Sequence, residues 1–152
     1  MNDSVLQNAT ELRRAGKLAE AAQLYIGILK DNPRHFEALH GLGILHYQTG
    51  RLEEAEKLIG EAIRVNPGAS DALYNRASLL LRMNRFDEAL VCFDRAIAIR
   101  PDYAEALGNR GSALLRMGRA PEGLADFERL VALRPPRGSG ARLRQMSVAM
   151  SY

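Results

Sequence analysis

The sequence predicts an all-α protein, an α-solenoid of about four helix-turn-helix repeats wound into a right-handed superhelix. Two observations predict this fold. Prolines recur at a constant spacing of 34 residues, at Pro33, Pro67, Pro101 and Pro135. Apolar residues between them recur with the helical period, and a unit of this length cannot bury them alone. The units therefore have to stack on their neighbours, with small rotations that generate the superhelix.

A second alignment supports the same repeat. The prolines divide residues 2–137 into the units 2–35, 36–69, 70–103 and 104–137. This division brings four similar segments into register, namely GKLAEA (16–21), GRLEEA (50–55), NRFDEA (84–89) and GRAPEG (118–123). The predicted array therefore covers most of the chain, and a basic tail, 138–152, follows it.

Each unit contains two helical patterns, which are clearest in the third unit. Leu73, Ala77 and Leu80 recur at i, i+4 and i+7. After a break at Asn84, the same period resumes at Phe86, Ala89, Leu90, Phe93, Ala96 and Ile97. Each unit is therefore predicted to form a helix, a tight turn and a second helix.

Three kinds of position support this prediction. Residues that tolerate a left-handed backbone occupy the turn, at Gly16, Gly50, Asn84 and Gly118. The prolines end the second helix, because proline lacks an amide hydrogen. Small residues are expected where the two helices approach closely, at Ala9, Gly43, Ala77 and Gly111 on the first helix and Ala21, Ala55, Ala89 and Gly123 on the second.

This pattern resembles the tetratricopeptide repeat family, over residues 2 to about 137. The match is strongest in two units, at Leu39, Leu42, Gly43, Gly50, Ala55, Ala62 and Pro67, and at Leu73, Ala77, Leu80, Ala89, Phe93, Ala96 and Pro101. The outer units depart from it at Ile28, Leu130, Ala120 and Gly123, as terminal repeats usually do. In the family an extra helix often covers the last repeat. The segment 141–150 fits such a capping helix, because Leu143, Met146 and Met150 recur at i, i+3 and i+7.

Composition argues against several functional classes. Three of the 21 basic residues and none of the 18 acidic ones lie beyond residue 135, so the array itself is neutral. A nucleic-acid binder needs a basic face with stacking aromatics, which is not predicted here. The first residues lack the pattern of a secretory leader, and no run of apolar residues is long enough for a membrane span. We expect a cytoplasmic protein with no nucleic-acid or membrane partner.

No pattern of residues predicts catalysis, a metal site or a cofactor. His35, His40 and His46 are not spaced to share one helical face. Cys92 lies between Val91 and Phe93, which predicts a buried thiol. We therefore expect a protein that is not an enzyme and acts through its surface.

In the family, the first helix of each unit lines a concave groove. Carried over position by position, this implies a partner-binding set of Glu37, His40, Tyr47, Asp71, Tyr74, Asn75, Ser78, Arg82, Glu105, Asn109, Ser112 and Arg116. Asn75 and Asn109 are suited to hold a peptide backbone by amide hydrogen bonds. The asparagine ladder is partial, since Gln7 and Gly41 stand in the same column. The carboxylate clamp of chaperone-binding members is not matched.

Arg76 and Arg110 stand in a packing column of the repeat. Acids occur at Asp94 and Glu128 in the same two units. We therefore hypothesise that Arg76 pairs with Asp94 and that Arg110 pairs with Glu128.

The leading functional hypothesis is a non-enzymatic scaffold that binds an extended peptide of a partner protein in the groove. The first alternative is the N-terminal, substrate- or partner-recruiting region of a larger glycosyltransferase- or sulfotransferase-type enzyme, because residues 37–67 resemble the opening repeats of such bacterial proteins. The second alternative is a self-associating repeat protein that forms a homo-oligomer through the open ends of its array.

Overall fold

The computed structural model describes residues 2–134, which form eight α-helices and no strand. The helices are α1 (Asn2–Arg14), α2 (Leu18–Asp31), α3 (Phe36–Gln48), α4 (Leu52–Val65), α5 (Ser70–Arg82), α6 (Phe86–Ile99), α7 (Ala104–Arg116) and α8 (Ala120–Leu133). Each helix packs mainly on its neighbours in sequence, and the tightest packing is within the pairs α1α2, α3α4, α5α6 and α7α8. The all-α solenoid is confirmed. The unit boundaries stay a prediction, and the capping helix at 141–150 lies outside the described residues.

The turn inside each helix pair has the predicted left-handed backbone. The φ angle is 81° at Gly16 and Gly50, 77° at Gly118 and 58° at Asn84. The chain then returns a hydrogen bond to the helix it has left, as when the Arg85 N–H donates to the Leu80 carbonyl at 2.9 Å. Such a turn satisfies carbonyls that the helix end leaves open, so it both stops the first helix and starts the second close beside it.

The second helices of the first three pairs end where the prolines predict. The helices α2, α4 and α6 each end two residues before a proline, at Asp31, Val65 and Ile99. The intervening residues have extended or near-extended backbone, with φ between −138° and −132°. Proline disfavours helical geometry in the residue before it, which explains the common end point.

Small residues line the contact within each pair, as predicted. The alanines of these columns in the first three pairs are fully buried. In the fourth pair both positions are glycine, and a Cβ added at Gly123 would lie 2.8 Å from the Gly111 carbonyl oxygen. The backbones of α7 and α8 therefore approach more closely than alanine would permit.

The apolar core runs along the array and becomes thinner at α8. In α6, Leu90 is 7% exposed and Ile97 is 5% exposed, because α7 covers them. One repeat later, Leu124 is 54% exposed and Val131 is 68% exposed. The described array therefore ends on a packing face that none of its own helices covers, and the predicted contact between array ends has apolar surface available here.

The predicted pairing of Arg110 with Glu128 is wrong. Arg110 donates from Nε and Nη2 to the two carboxylate oxygens of Asp126, at 2.7 and 2.6 Å, and from Nη1 to Asp94 at 2.9 Å. Both partners lie 16 positions from Arg110 along the chain, one on each neighbouring second helix. Glu128 lies two residues beyond Asp126, which turns it by about 200° around the helix and away from Arg110.

The predicted pairing of Arg76 with Asp94 is wrong for the same reason of register. The residues 16 positions before and after Arg76 are Gly60 and Cys92, and neither carries a carboxylate. The Nη2 atom of Arg76 instead lies 3.6 Å from Glu56. Asp94 turns to the next repeat and pairs with Arg110.

Two further expectations concern the Cys92 thiol and membrane-spanning helices. Cys92 is 3% exposed, so the buried thiol is confirmed. Within residues 2–134, no helix combines the length and the apolar character needed to cross a bilayer.

Candidate functional site

Side chains link the first helices of successive repeats into one surface, which we call the first-helix surface. The Asn109 amide donates to the Tyr74 hydroxyl at 3.0 Å, and the Asn75 amide nitrogen lies 2.8 Å from His40 Nε2. Nearer the other end of the helices, Arg82 Nη1 donates to a backbone carbonyl of α3 at 3.2 Å. Each link joins residues 35 positions apart, so the predicted site residues of α3, α5 and α7 form a connected set.

Five of the predicted residues line one cavity of about 370 Å³. They come from α3 and α5 and are Glu37, His40, Asp71, Tyr74 and Asn75. The remaining lining residues come from α1, α2, α3 and the position just before α7, and are Thr10, Arg13, Arg14, Tyr25, Gly41, Ile44 and Tyr103. The structure thus brings the first three repeats together at a single polar concavity.

The other seven predicted residues lie outside this cavity. The Arg82 guanidinium stacks on Tyr47 at 4.7 Å, and the Arg116 guanidinium stacks on Phe86 at 5.1 Å. The Ser78 hydroxyl is buried and has no hydrogen-bond partner among the described residues. The side chains of Glu105 and Ser112 are exposed, and Asn109 is half-buried. These residues extend the surface along α5 and α7.

Arg13 and Tyr103 also line the cavity and were not predicted from the sequence. Arg13 occupies in the first unit the column that Tyr47 occupies in the second, so extending the comparison to α1 would have found it. Tyr103 immediately precedes α7, and its hydroxyl donates to Asp71 at 2.9 Å. Its ring lies 5.1 Å from Tyr74, and Arg100 stacks on it at 4.2 Å. An aromatic residue where Ala69 stands in the preceding unit was the available signal.

The floor of the cavity consists of Gly41 and Tyr25. A Cβ added at Gly41 would lie 2.5 Å from the Tyr25 ring, so only glycine leaves room for it. The Tyr25 hydroxyl lies 3.2 Å from Thr10 Oγ1, which itself donates to the Leu6 carbonyl. Since that threonine hydrogen is already used, Tyr25 is the donor, and its oxygen keeps acceptor capacity towards the cavity.

The surroundings of His40 favour its neutral form. Burial lowers the pKa of His40 below its ordinary value of 6.5; the nearby Asp71 carboxylate opposes this, while Arg13 lowers it further. A neutral imidazole can accept at Nε2, which fits Asn75 as the donor. Asn75 then has its carbonyl oxygen and its second N–H left for other partners.

We predict that acid destabilises the protein partly through His40. The pKa of His40 is lower in the folded chain than in the unfolded chain, where it is near 6.5. As the pH falls from 6.5 through the folded pKa, the unfolded chain binds more protons than the folded chain, so the free energy of unfolding falls. NMR titration of the His40 ring should give a midpoint below 6.5, and Asp71→Asn should lower it further. A midpoint at or above 6.5 would contradict this account.

Charges are sorted along the first-helix surface. The first turns of α3, α5 and α7 carry Glu37, Asp71 and Glu105, and the last turns of α5 and α7 carry Arg82 and Arg116. Acids at helix starts and arginines at helix ends also complement the helix dipoles. The surface therefore has an acidic edge and a basic edge, with neutral polar groups between them.

No group of three or more metal-ligating side chains is found within the described part of the chain. The polar groups at the cavity offer both hydrogen-bond donors and hydrogen-bond acceptors. The arrangement is suited to binding.

Comparison with known proteins supports the repeat and the fold. Family models described as tetratricopeptide repeat match residues 6–70 and 70–103. No significant match is found among curated proteins.

Several solved structures are similar. A crystal structure of MamA is 23% identical, with a TM-score of 0.78 over 84% of this chain and 74% of that one. A MamA fragment from Desulfovibrio magneticus RS-1 is 16% identical, with a TM-score of 0.82 over 91% and 78%. At these identities the likeness shows the fold alone. A Thermobaculum terrenum O-GlcNAc transferase mutant is 28% identical, with a TM-score of 0.71 over 74% of this chain and 22% of that protein.

Proposed function

Because this chain belongs to the tetratricopeptide repeat family, we propose that it is a non-enzymatic scaffold that binds an extended peptide of a partner protein on its first-helix surface. Repeats of this family generally mediate protein–protein interaction. The observation that carries the proposal is the cavity at which polar side chains of α1, α3 and α5 meet. An extended peptide presents alternating backbone donors and acceptors, which polar side chains such as these can bind.

The linked asparagines define how the peptide is held. Asn75 and Asn109 each use one amide hydrogen to bind the preceding repeat, so their positions are fixed before a ligand arrives. Fixed side chains lose less conformational entropy on binding. Their carbonyl oxygens accept from peptide N–H groups, while the acidic and basic edges select the charges on either side of the peptide. Arg82 and Arg116 make the basic edge.

Reversing the basic edge should weaken partner binding. We expect the double change Arg82→Glu and Arg116→Glu to reduce partner affinity roughly tenfold, because two attractive charges become repulsive. The measurement is recovery of the proteins that the wild-type chain captures, identified by mass spectrometry, followed by titration of the main one. Helical circular dichroism should not change.

The matched control reverses two basic residues elsewhere, with Lys30→Glu and Arg34→Glu. Both side chains are exposed and lie outside the first-helix surface. This variant should capture the partner as the wild type does. Equal capture by the wild type and by the Arg82→Glu, Arg116→Glu variant would contradict binding on the first-helix surface. Equal losses of capture in the variant and in its control would show that net charge alone matters.

A second candidate function is supported by one comparison. The 28% identity to the O-GlcNAc transferase mutant extends over 74% of this chain but only 22% of that protein. The same array would then recruit substrates or partners to a larger glycosyltransferase- or sulfotransferase-type enzyme. The coding sequence after Tyr152 tests this directly. A reading frame that continues into such a domain would support it, and a stop codon immediately after Tyr152 would rule it out.

A further inference from the structure

The cleft around Arg110 has a counterpart one repeat earlier, around Arg76. The Arg110 cleft has a volume of about 520 Å³ between α6, α7 and α8. Two smaller cavities, of about 320 and 180 Å³, flank Arg76 between α4, α5 and α6. We call these two cavities together the Arg76 cleft.

Two flanking contacts are common to the surroundings of the two arginines, whereas the hydrogen bond from Arg85 to Glu56 has no counterpart, because Leu90 stands in the place of Glu56 one repeat later. Arg85 donates to Glu88 just as Arg119 donates to Glu122, each at 2.9 Å from Nε. Two turns further along the second helix, Arg95 donates to the Pro67 carbonyl at 3.4 Å, and its counterpart Arg129 donates to the Pro101 carbonyl at 3.2 Å. The two clefts therefore share these flanking contacts, so the residues inside them can be compared position by position.

The main difference is the loss of two carboxylates. Asp94 and Asp126, which grip Arg110, correspond to Gly60 and Cys92 at Arg76. Gly60 offers no side chain. Burial raises the pKa of the Cys92 thiol, so the thiol stays protonated and brings no negative charge to the arginine.

Arg76 is consequently held less closely than Arg110, although Glu88 attracts it and the Cys92 thiol contacts it. Its Nε is buried and has no hydrogen-bond partner among residues 2–134. Its Nη2 lies 3.6 Å from Glu56, but Arg85 holds that carboxylate much more closely, at 2.6 Å. A guanidinium whose hydrogen bonds are incomplete gains from an incoming carboxylate, because charge-assisted hydrogen bonds are stronger than neutral ones. The Arg76 side chain is 29% exposed and can therefore be reached.

We propose that the Arg76 cleft is a second interaction site, which takes an aspartate or glutamate side chain of a partner protein. The carboxylate would occupy the place that Asp94 fills at Arg110, which Gly60 leaves open here, and would accept from the terminal guanidinium nitrogens of Arg76. The cleft also has one exposed apolar side chain, Val91, which is 58% exposed. Burying this side chain favours a carboxylate carried on a polypeptide over a free ion.

The first test uses acetate as an isolated carboxylate and follows the arginine Nε–H signals of the full chain by NMR. The Arg76 signal, assigned by its loss in Arg76→Lys, should move saturably, with half-saturation in the millimolar range. The Arg110 signal should stay, because its carboxylates are already in place. A shift that chloride reproduces at equal ionic strength, or no saturable shift at Arg76, would overturn the proposal.

The second test closes the cleft from within. Gly60→Asp supplies the counterpart of Asp94, and Gly27→Asp is a matched control on α2. A Cβ added at either glycine meets nothing within 4 Å, so both variants should fold. Gly60→Asp should weaken acetate binding at Arg76 at least tenfold, and Gly27→Asp should leave it unchanged. Unaltered binding in Gly60→Asp would contradict the assigned site.

The third test separates a protein side chain from a small free carboxylate. The blocked peptide acetyl-Leu-Glu-Val-amide should bind at Arg76 at least tenfold more tightly than acetate, and the matching glutamine peptide should not bind. Equal affinities for the peptide and acetate would exclude a protein partner. The groove variant Arg82→Glu with Arg116→Glu should bind both probes normally, so this site and the proposed groove function can fail independently.

Discussion

Replacing Asp126 with alanine is expected to lower the free energy of unfolding by about 3 kcal/mol, since it leaves the largely buried Arg110 charge with Asp94, an exposed carboxylate, as its remaining close partner. The side chain of Asp126 is 5% exposed and that of Arg110 is 16% exposed. Asp126 accepts two of the three close hydrogen bonds that hold the guanidinium, and Asp94, whose side chain is 63% exposed, accepts the third. Urea unfolding followed by circular dichroism measures the loss.

Glu128→Ala is the matched control for this change. It removes a carboxylate from the same helix, two residues away, where the side chain is exposed. Its effect should stay within about 0.5 kcal/mol, as for most surface substitutions. The reverse order of effects would restore the pairing of Arg110 with Glu128 and contradict the observed geometry. The double variant Arg110→Met with Asp126→Ala should recover part of the lost stability, because no buried charge is then left alone.

The second large effect is expected for Gly123→Ala, which should destabilise the protein by about 2 kcal/mol through overpacking. This direction is not obvious, since Ala21, Ala55 and Ala89 stand in the same column of the other repeats. Alanine is also preferred to glycine inside a helix by about 1 kcal/mol. The new methyl group, however, would lie 2.8 Å from the Gly111 carbonyl oxygen, and a backbone atom cannot rotate away as a side chain can.

Gly60→Ala provides the comparison for this effect. Its Cβ would meet nothing within 4 Å, so only the gain in helix propensity remains. This variant should be more stable than the wild type by up to about 1 kcal/mol. If the thermal midpoints of both variants rose together, α7 and α8 would have to be able to separate at little cost, and the close approach at Gly123 would not constrain them.

The repeat and its helices could be predicted from the sequence because they depend on local chemistry. A left-handed residue after a helix, as at Asn84, and a proline after the next helix act within a few residues of their own position. The 34-residue period then repeats the signal, so errors at a single unit, such as the atypical fourth, do not alter the prediction.

The ion pairs could not be predicted in the same way, because they depend on register between helices. A column of the repeat shows that Asp94 and Glu128 are equivalent, but not which atoms they face. An error of two residues moves a side chain to the far side of a helix. The observed offset of 16 residues between Arg110 and both of its partners became visible only with the packed structure.

The candidate site could be predicted in part from the sequence. The resemblance indicated which helix faces share a surface, and the structure joins their residues through Asn75 and Asn109. It did not indicate that Tyr25, from a second helix, reaches this surface. That contact requires both a long side chain on α2 and the missing side chain at Gly41 on α3, which is a coincidence of two repeats rather than a property of one.

The thin packing of α8 has a consequence for how the molecule opens. Among its residues Gly123 and Asp126 are buried, whereas α6 buries six, mostly apolar, residues. In a linear array each unit is held only by its neighbours, so we expect α8, the last helix of residues 2–134, to open more readily than the central helices. Such an opening exposes little apolar surface and has a small heat-capacity change. We therefore expect the amide protons of α8 to exchange through a local opening whose rate depends little on denaturant. The amide protons of α6 should exchange only when the central repeats unfold.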